Sequence, residues 1–487
     1  MNAVTRPHLT HNGPTQIMTG MCFDNSYARL PASFFKPCKP DSVVNPKLIV
    51  MNRSLASDLG MSDPGLLNNG RLLSELFCGN HLPVGARPIA TAFAGHRFGV
   101  FEAELGDERT LLIGEVIDRY QQRKDIQLVG NGRTPFSQDG DGRLSLTHAA
   151  KEYVMSEAMH AFGVPTTRPL ALTLAGENID GHSSGSGAIL ARVATCPVSI
   201  GTFEYFARRQ NRDDLRALAD YTIARLCPEL MTKPDPYLSL LRWAMDNQAK
   251  LVAHWVSLGF VHGVMDTDKT SISGETLHYE SAAFLDYYDP DAVPNGRDIT
   301  GRYAFNSQAF AAQWNLSRLA ESLIGLFHGS ESRAVAEASR AIREFQVRYE
   351  NYSLNLMRAR LGLEGEMPED SQLIKDFRQL LTRNKIEYHS FFHTLAEDSG
   401  GGGISAALFG SDAALYLDWY RRWHLRLTVT GRTPEQCFEA LMNANPVNVP
   451  TNDLINRAIE HAHRGDFREL HRLLELVRKP FNDRLAV

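Results

Sequence analysis

FGVFEAELGDERTLLIGEV, residues 98–116, reads as strand, turn, strand. FGVFEAEL alternates, GDER supplies a turn, and TLLIGEV is apolar enough for a buried strand. DIQLVGNG (125–132) is a further short strand closed by glycines, and AILARV (188–193) another. Between these two, residues 144–162 carry helical spacing and stop at Gly163-Val164-Pro165, which predicts a helix with a glycine stop.

Outward from this block, residues 46–59 read as an amphipathic helix and the first 20 residues as a loose polar tail. Residues 213–258, 308–361 and 370–395 have apolar side chains three and four apart, and 261–286 returns to short strands and turns. SGGGG at 399–403 reads as a flexible linker, and 404–487 is again helical. The expected units are a tail (1–22), a strand-rich part (23–200), a helical part (201–398) and a C-terminal helical region (404–487). Strands first and helices after predict a two-lobed α+β protein with a ligand cleft between its lobes.

Composition excludes several classes. Among 487 residues, 51 Lys and Arg against 56 Asp and Glu leave a net charge of −5, no basis for nucleic-acid binding. The six cysteines, at 22, 38, 78, 196, 227 and 437, form no CxxC pair and are expected to be reduced thiols. No apolar leader opens the chain and no run of about 18 apolar residues occurs, so a cytoplasmic protein that does not enter a membrane is expected. Gly400–403 lacks the following Lys-Ser/Thr of a phosphate loop, and no GxSxG or HExxH is present.

A series of blocks narrows the reading: FDNSYARLP (23–31), AGHRFGVFEAELGDERTLLIGEV (94–116), GRTPFSQDGDGR (132–143), EYVMSEAMHAFGVPTTRPL (152–170), GTFEYF (201–206), HGVMDTDKTSI (262–272), FLDYYDP (284–290), GRYAFNSQ (301–308) and WNLSRLAESL (314–323). In this order and spacing they resemble the selenoprotein O (SelO) family along nearly the whole chain. That resemblance implies a protein-kinase-like fold with added C-terminal helices. It also implies ATP with Mg²⁺ or Mn²⁺, and transfer of AMP to Ser, Thr or Tyr hydroxyls of proteins. Such chemistry needs a positioned triphosphate, cations against its charge and an activated hydroxyl. Some members extend to a redox Cys or selenocysteine near their end. The last cysteine here is Cys437, so control of that kind is not expected.

Carried over residue by residue, the resemblance is uneven. Gly106 and Arg109 keep the first and last places of a phosphate-binding Gly-Asp-Gly-Arg turn, but Glu108 replaces its second glycine. Read alone, this segment is equally an ordinary hairpin turn. Val129 stands where the family has a strand lysine, and its helix partner is matched by Glu152, which must find another cation, water or a proton. Asp141 and Gly142 match nucleotide-contacting residues. Arg192 matches a phosphate-contacting arginine, whose companion is here Ser199. Asp268 matches the family's base, while the two metal-ligand positions hold Lys269 and His278.

A cation and an imidazole are poor substitutes for Mg²⁺ oxygen ligands. The expectation is that Mg·ATP-dependent AMP transfer is lost or altered. His262, Asp266, Asp268 and His278 also have the makings of a non-haem iron, manganese or zinc set. The plainer reading makes His262 a packed structural histidine and Asp268 a hydrogen-bond acceptor in its own loop. Three classes stay open: a repurposed enzyme acting on a small-molecule or protein substrate, a residual adenylyltransferase, and a non-catalytic binding protein.

Overall fold

A computed structural model describes residues 15–138, 140–178 and 186–481. Its first half is a nine-stranded sheet whose main path uses seven strands. These are β1 (Phe35–Pro37), β2 (Lys47–Met51), β3 (Ile89–Thr91), β4 (Thr110–Ile117), β5 (Arg123–Val129), β6 (Arg168–Asn178) and β7 (Ser186–Ala194). They lie side by side in the order β1-β3-β4-β5-β7-β6-β2, all antiparallel. TLLIGEV sits near the middle as β4, buried along its length, which is why it reads as a continuous apolar run. β5 pairs with β7 in the register Gln127↔Arg192 and Val129↔Leu190, so Gln127, Val129 and Arg192 share one face.

Helix α1 (Leu146–Ala161) covers the sheet. The Ser145 side chain caps it by accepting the His148 N–H at 3.2 Å, and Gly163 ends it with φ +79°. The structure departs from the sequence reading upstream. Residues 46–59 are not one helix but β2 followed by a short helix, Arg53–Asp58, capped by Asn52 accepting from Leu55 N at 3.1 Å. LIVM satisfies a helical pattern equally well, but pairing with β6 claims its backbone. Within the expected tail, Thr15–Ile17 pairs in parallel with His81–Pro83, and Cys22–Phe23 pairs with β4. The rest of that tail, 1–14, lies outside the described residues.

The second half is helical. The helices used below are α2 (Ile200–Arg208), α3 (Pro236–Ser257), α4 (Gln308–Leu323), α5 (Glu331–Arg360), α6 (Asp370–Asn384), α7 (Tyr388–Glu397), α8 (Ala413–Thr428), α9 (Asn452–His463) and α10 (Arg468–Val477). A second aromatic core joins α6, α7 and α8, with Phe377 stacked on Trp419 (5.1 Å) and Trp419 on Trp423 (5.9 Å). SGGGG is no free linker. Asp398 accepts from Ile404 N (2.6 Å) and Ser405 N (2.8 Å), and its own carbonyl accepts the Tyr420 hydroxyl at 2.9 Å.

The C-terminal helices return to the sheet half. His463 Nε2 lies 2.9 Å from Thr147 Oγ1, the His471 ring meets Ile49 O at 3.1 Å, and Arg478 donates to Glu157 at 2.8 Å. All six cysteines are free thiols. Among the described residues no helix is long and apolar enough to cross a membrane.

Candidate active site

The loop that carries most of the candidate residues leaves the strand Phe260–Val261 and returns through Ala283–Phe284. Helical side chains hold its backbone from below. On α4, Gln308 accepts from His262 N (2.9 Å) and donates to Phe260 O (3.0 Å), while Asn315 donates to Met265 O (2.8 Å). On α3, Gln248 donates to Ser271 O at 2.7 Å. Buried amides that satisfy loop carbonyls in this way fix a segment with no ladder of its own.

From the other side the loop is gripped by Thr267. Its hydroxyl donates to Glu204 of α2 at 2.5 Å and accepts from His96 N at 2.7 Å. His96 Nδ1 lies 2.5 Å from the other Glu204 oxygen. Burial raises the Glu204 carboxyl to about 7 and lowers the His96 imidazole. Gly201 brings α2 against the loop. A Cβ there would lie 2.2 Å from Ala94 O and 3.0 Å from the Asp268 Cα. Gly95 does the same from a short hairpin in which Gly95–Arg97 pairs with Val100–Glu102, since its Cβ would lie 3.0 Å from Asp268 Oδ1.

Asp268 is thus fixed by backbone contacts while its carboxylate is left spare. Oδ1 is buried and has no hydrogen-bond partner among the described residues. Burial raises this carboxyl to about 6, with the Lys269 charge acting against the shift. A carboxylate so placed is suited to accept a proton from a hydroxyl.

A cluster of polar and charged groups forms around Arg192. Arg192 on β7 donates from Nε to Gln127 (2.9 Å) and from Nη1 to Leu277 O (2.9 Å), and Nη1 stands 3.3 Å from His278 Nδ1. Glu152 on α1 accepts from Tyr279 N at 2.8 Å and stands 3.9 Å from His278 Nδ1. Burial raises the Glu152 carboxyl, and the Arg192 charge opposes that rise. His278 is held well below its usual range by burial, then by Arg192, Lys269 and Arg109, and is a neutral imidazole. Val129 is packed in the sheet core, and Ser199 has become the cap of α2, its N–H donating to Thr202 at 3.2 Å.

At the surface, Arg109 Nη2 donates to Glu280 at 2.9 Å. His148 Nε2 approaches the same carboxylate at 3.5 Å, and Lys151 Nζ donates to Glu280 O at 3.1 Å. Sequence reasoning missed His148, Lys151 and Glu280. The signal available was spacing, since His148, Lys151 and Glu152 fall within one turn of α1.

Gly106 takes φ +68° under the Phe136 ring, where a Cβ would meet the ring at 2.3 Å. Asp107 turns inward to Thr91 (2.8 and 2.7 Å). Gly142 is equally enforced, its Cβ position 2.2 Å from Gly132 O, while Asp141 accepts from Arg143 N at 2.8 Å within its own turn.

The proposed transition-metal set is not assembled. His262 lies 5.1 Å from the Trp255 ring, and burial lowers its pKa to about 3. Asp266 accepts from Phe98 N (2.9 Å) and the Tyr303 hydroxyl (2.7 Å). Among the described residues no three His, Cys, Asp or Glu are grouped to hold a metal ion. Nor do the family's magnesium positions fit Mg²⁺ or Mn²⁺: Lys269 is a cation, and His278 is an imidazole turned to Arg192.

A sheet with a glutamate-bearing helix, followed by a helical half that presents an acidic loop, is an α+β architecture. The comparisons place it further. A family model described as Protein adenylyltransferase SelO matches residues 18–478, and the chain belongs to that family. It is similar to Protein nucleotidyltransferase YdiU of Alkalilimnicola ehrlichii, 45% identical over 94% of this chain and 93% of that one. The protein of the same description from Geobacillus kaustophilus is 43% identical over 95% and 94%. Among solved structures, the Toxoplasma gondii specific rhoptry antigen kinase domain matches 60% of this chain and 87% of its own, with 11% identity and a TM-score of 0.25.

Proposed function

We propose that the chain is a group-transfer enzyme in which Asp268 takes the proton of an acceptor hydroxyl. In this reading, ordinary Mg·ATP-dependent AMP transfer is lost or altered, and the kinase-like cleft serves a different phosphate-bearing substrate. The observation that carries it is the pairing of an intact candidate base with a dismantled metal site. Asp268 keeps a buried, unpartnered oxygen, while Lys269 and His278 occupy the places of the metal's oxygen ligands. A chain that had only drifted from function has no reason to keep Gly95 and Gly201 cleared around that carboxylate. Arg109 and Arg192 are the groups that would hold the substrate's anionic part.

A second reading, residual adenylyltransferase activity, is favoured by the retained Asp141, Arg192 and Asp268 and by what the relatives are called. One experiment separates the two. The purified protein and its Asp268→Asn variant are incubated with ATP and Mg²⁺, and with a pool of phosphate-bearing metabolites. Intact-protein and metabolite mass spectra are then recorded. Asp268-dependent consumption of a metabolite, with no AMP added to protein, is expected. Asp268-dependent AMP addition would establish the second reading instead, and no Asp268-dependent change anywhere would remove both.

A further inference from the structure

The hairpin that packs on Asp268 turns at Phe98 and Gly99, both left-handed, with φ +49° and +86°. Asn, Asp or Gly ordinarily fill such a two-residue turn, and a bulky ring at positive φ is strained. Asp266 accepts the Phe98 N–H at 2.9 Å and so holds the strained backbone in place. The Phe98 ring lies 5.5 Å from that of Tyr303, whose hydroxyl donates to the same Asp266 oxygen at 2.7 Å. Phe98 is nonetheless 38% exposed, and Val100 is 68% exposed. Strain kept in order to present apolar side chains to water points to a contact outside the chain.

Arginines gather beside this turn. A Cβ at Gly99 would lie 3.3 Å from the Arg302 Cζ, and that guanidinium lies over the Trp314 ring of α4, 4.5 Å from its centre. Arg318 lies over the same indole at 4.9 Å. The His96 ring, also in the hairpin, is 5.1 Å from both Trp314 and Phe101, and Arg208 at the end of α2 lies over Phe101 at 5.0 Å. Of these three arginines only Arg318 has an acid partner among the described residues, Glu321 at 2.7 Å. Arg208 is exposed, and the Arg302 Nε is buried with no hydrogen-bond partner among the described residues. Two guanidiniums on one indole that share a single carboxylate leave positive charge to be met by an outside anion.

The apolar surface continues past Arg302. Asp298 closes the turn before it, accepting from Arg302 N at 2.9 Å and Tyr303 N at 2.7 Å, and Ile299 in that turn is 94% exposed. Glu102 and Glu108 border the hairpin, 3.6 and 3.8 Å from Arg97. Acids in that place would repel a continuous phosphate backbone but leave room for a chain whose acidic side chains alternate with apolar ones.

We infer that the turn at 98–100, with Arg302, Arg208 and Ile299, docks an acidic polypeptide segment. Its carboxylates pair with Arg302 and Arg208, and its apolar side chains cover Phe98, Val100 and Ile299. Gly95 of the same hairpin packs on Asp268, so a docked segment lies beside the candidate base. The inference concerns binding and does not require Asp268 to act as a base.

The test is fluorescence anisotropy of the full chain with a labelled peptide of Glu, Leu and Ser, compared with the same peptide carrying Lys in place of Glu and with polyuridylate. Binding of the Glu peptide alone is expected, weakening as salt is raised. Arg302→Glu and Arg208→Glu should each weaken it at least about tenfold, and Val100→Asp several-fold. Phe98→Asn removes the ring but suits the left-handed turn. It should keep the thermal unfolding midpoint and still lose binding, which a ring with a purely structural role would not do. Unfolding midpoints of the arginine variants show that they are folded. Equal binding of the two peptides, tighter binding of polyuridylate, wild-type affinity in folded Arg302→Glu and Arg208→Glu, or no binding at all would each overturn the inference. Peptide binding is read without turnover, so its failure is distinct from failure of the enzyme reading.

Discussion

Gly201→Ala adds one methyl group at the tightest junction of the site. The new Cβ would lie 2.2 Å from the Ala94 carbonyl oxygen, 3.0 Å from the Asp268 Cα and 3.2 Å from the Asp268 N. All three neighbours are backbone atoms, so no flexible side chain can yield. Relief requires a shift of about 1 Å between the α2 N-terminus, the irregular segment that carries Ala94 and the loop of Asp268. Ala94 N also donates to Gly201 O at 3.1 Å, which resists separation. Overpacking of this kind costs ~1–3 kcal/mol. A misplacement of about 1 Å in a catalytic group costs about a hundredfold in rate. Urea unfolding followed by tryptophan fluorescence reads the first quantity, and turnover of whichever substrate the metabolite screen identifies reads the second. Equal stability, with equal turnover, would refute the account of how Asp268 is fixed.

Three other outcomes follow from the structure. Asp370 is fully buried between Arg358 and Arg426, both at 2.7 Å, so Asp370→Ala strands two guanidiniums and should destabilise by ~3–5 kcal/mol in denaturant unfolding. Burial, then the charges of Arg360 and His393, lower His389 to about 3. The unfolded chain therefore takes up a proton below about pH 6.5 that the fold refuses, and stability present above that pH falls on acidification by about 1.4 kcal/mol per unit. His389→Phe should flatten the slope of unfolding free energy between about pH 6 and pH 4 by that amount, and parallel slopes would contradict it. Asp398→Ala frees Ile404 N and Ser405 N, so limited proteolysis should cut within 400–403 faster than in the wild type.

What was legible in the sequence follows the range of the interactions involved. Strands β4 and β5 and helix α1 show in local pattern because burial and capping there repeat over a few residues. Residues 46–59 misled because LIVM suits either period, and only pairing with β6 decides between them. SGGGG misled because its restraint is one aspartate side chain reaching forward, which composition does not register.

In the site, the loss of the strand lysine and of the metal ligands was visible through resemblance alone. The approach of Arg192 and Glu152 to the same His278 nitrogen was not, since β7 must first pair with β5 to place Arg192. Glu280 escaped for the same reason, being 171 residues from Arg109. The four-residue metal set failed on direction, because proximity in sequence said nothing of Trp255 behind His262 or Tyr303 on Asp266.

The clasp between the C-terminal helices and α1 has a consequence for how the protein is made. Arg478 reaches back to Glu157 across 321 residues of chain. At the ~5–20 residues per second of synthesis, the sheet half leaves the ribosome tens of seconds before the clasp exists. Throughout that interval Glu157, 3% exposed in the finished protein, has Arg168 and Asn52 as its partners among the described residues. The helix that supplies Glu152 to the cleft is thus among the first elements made, and its outer face is among the last to be covered.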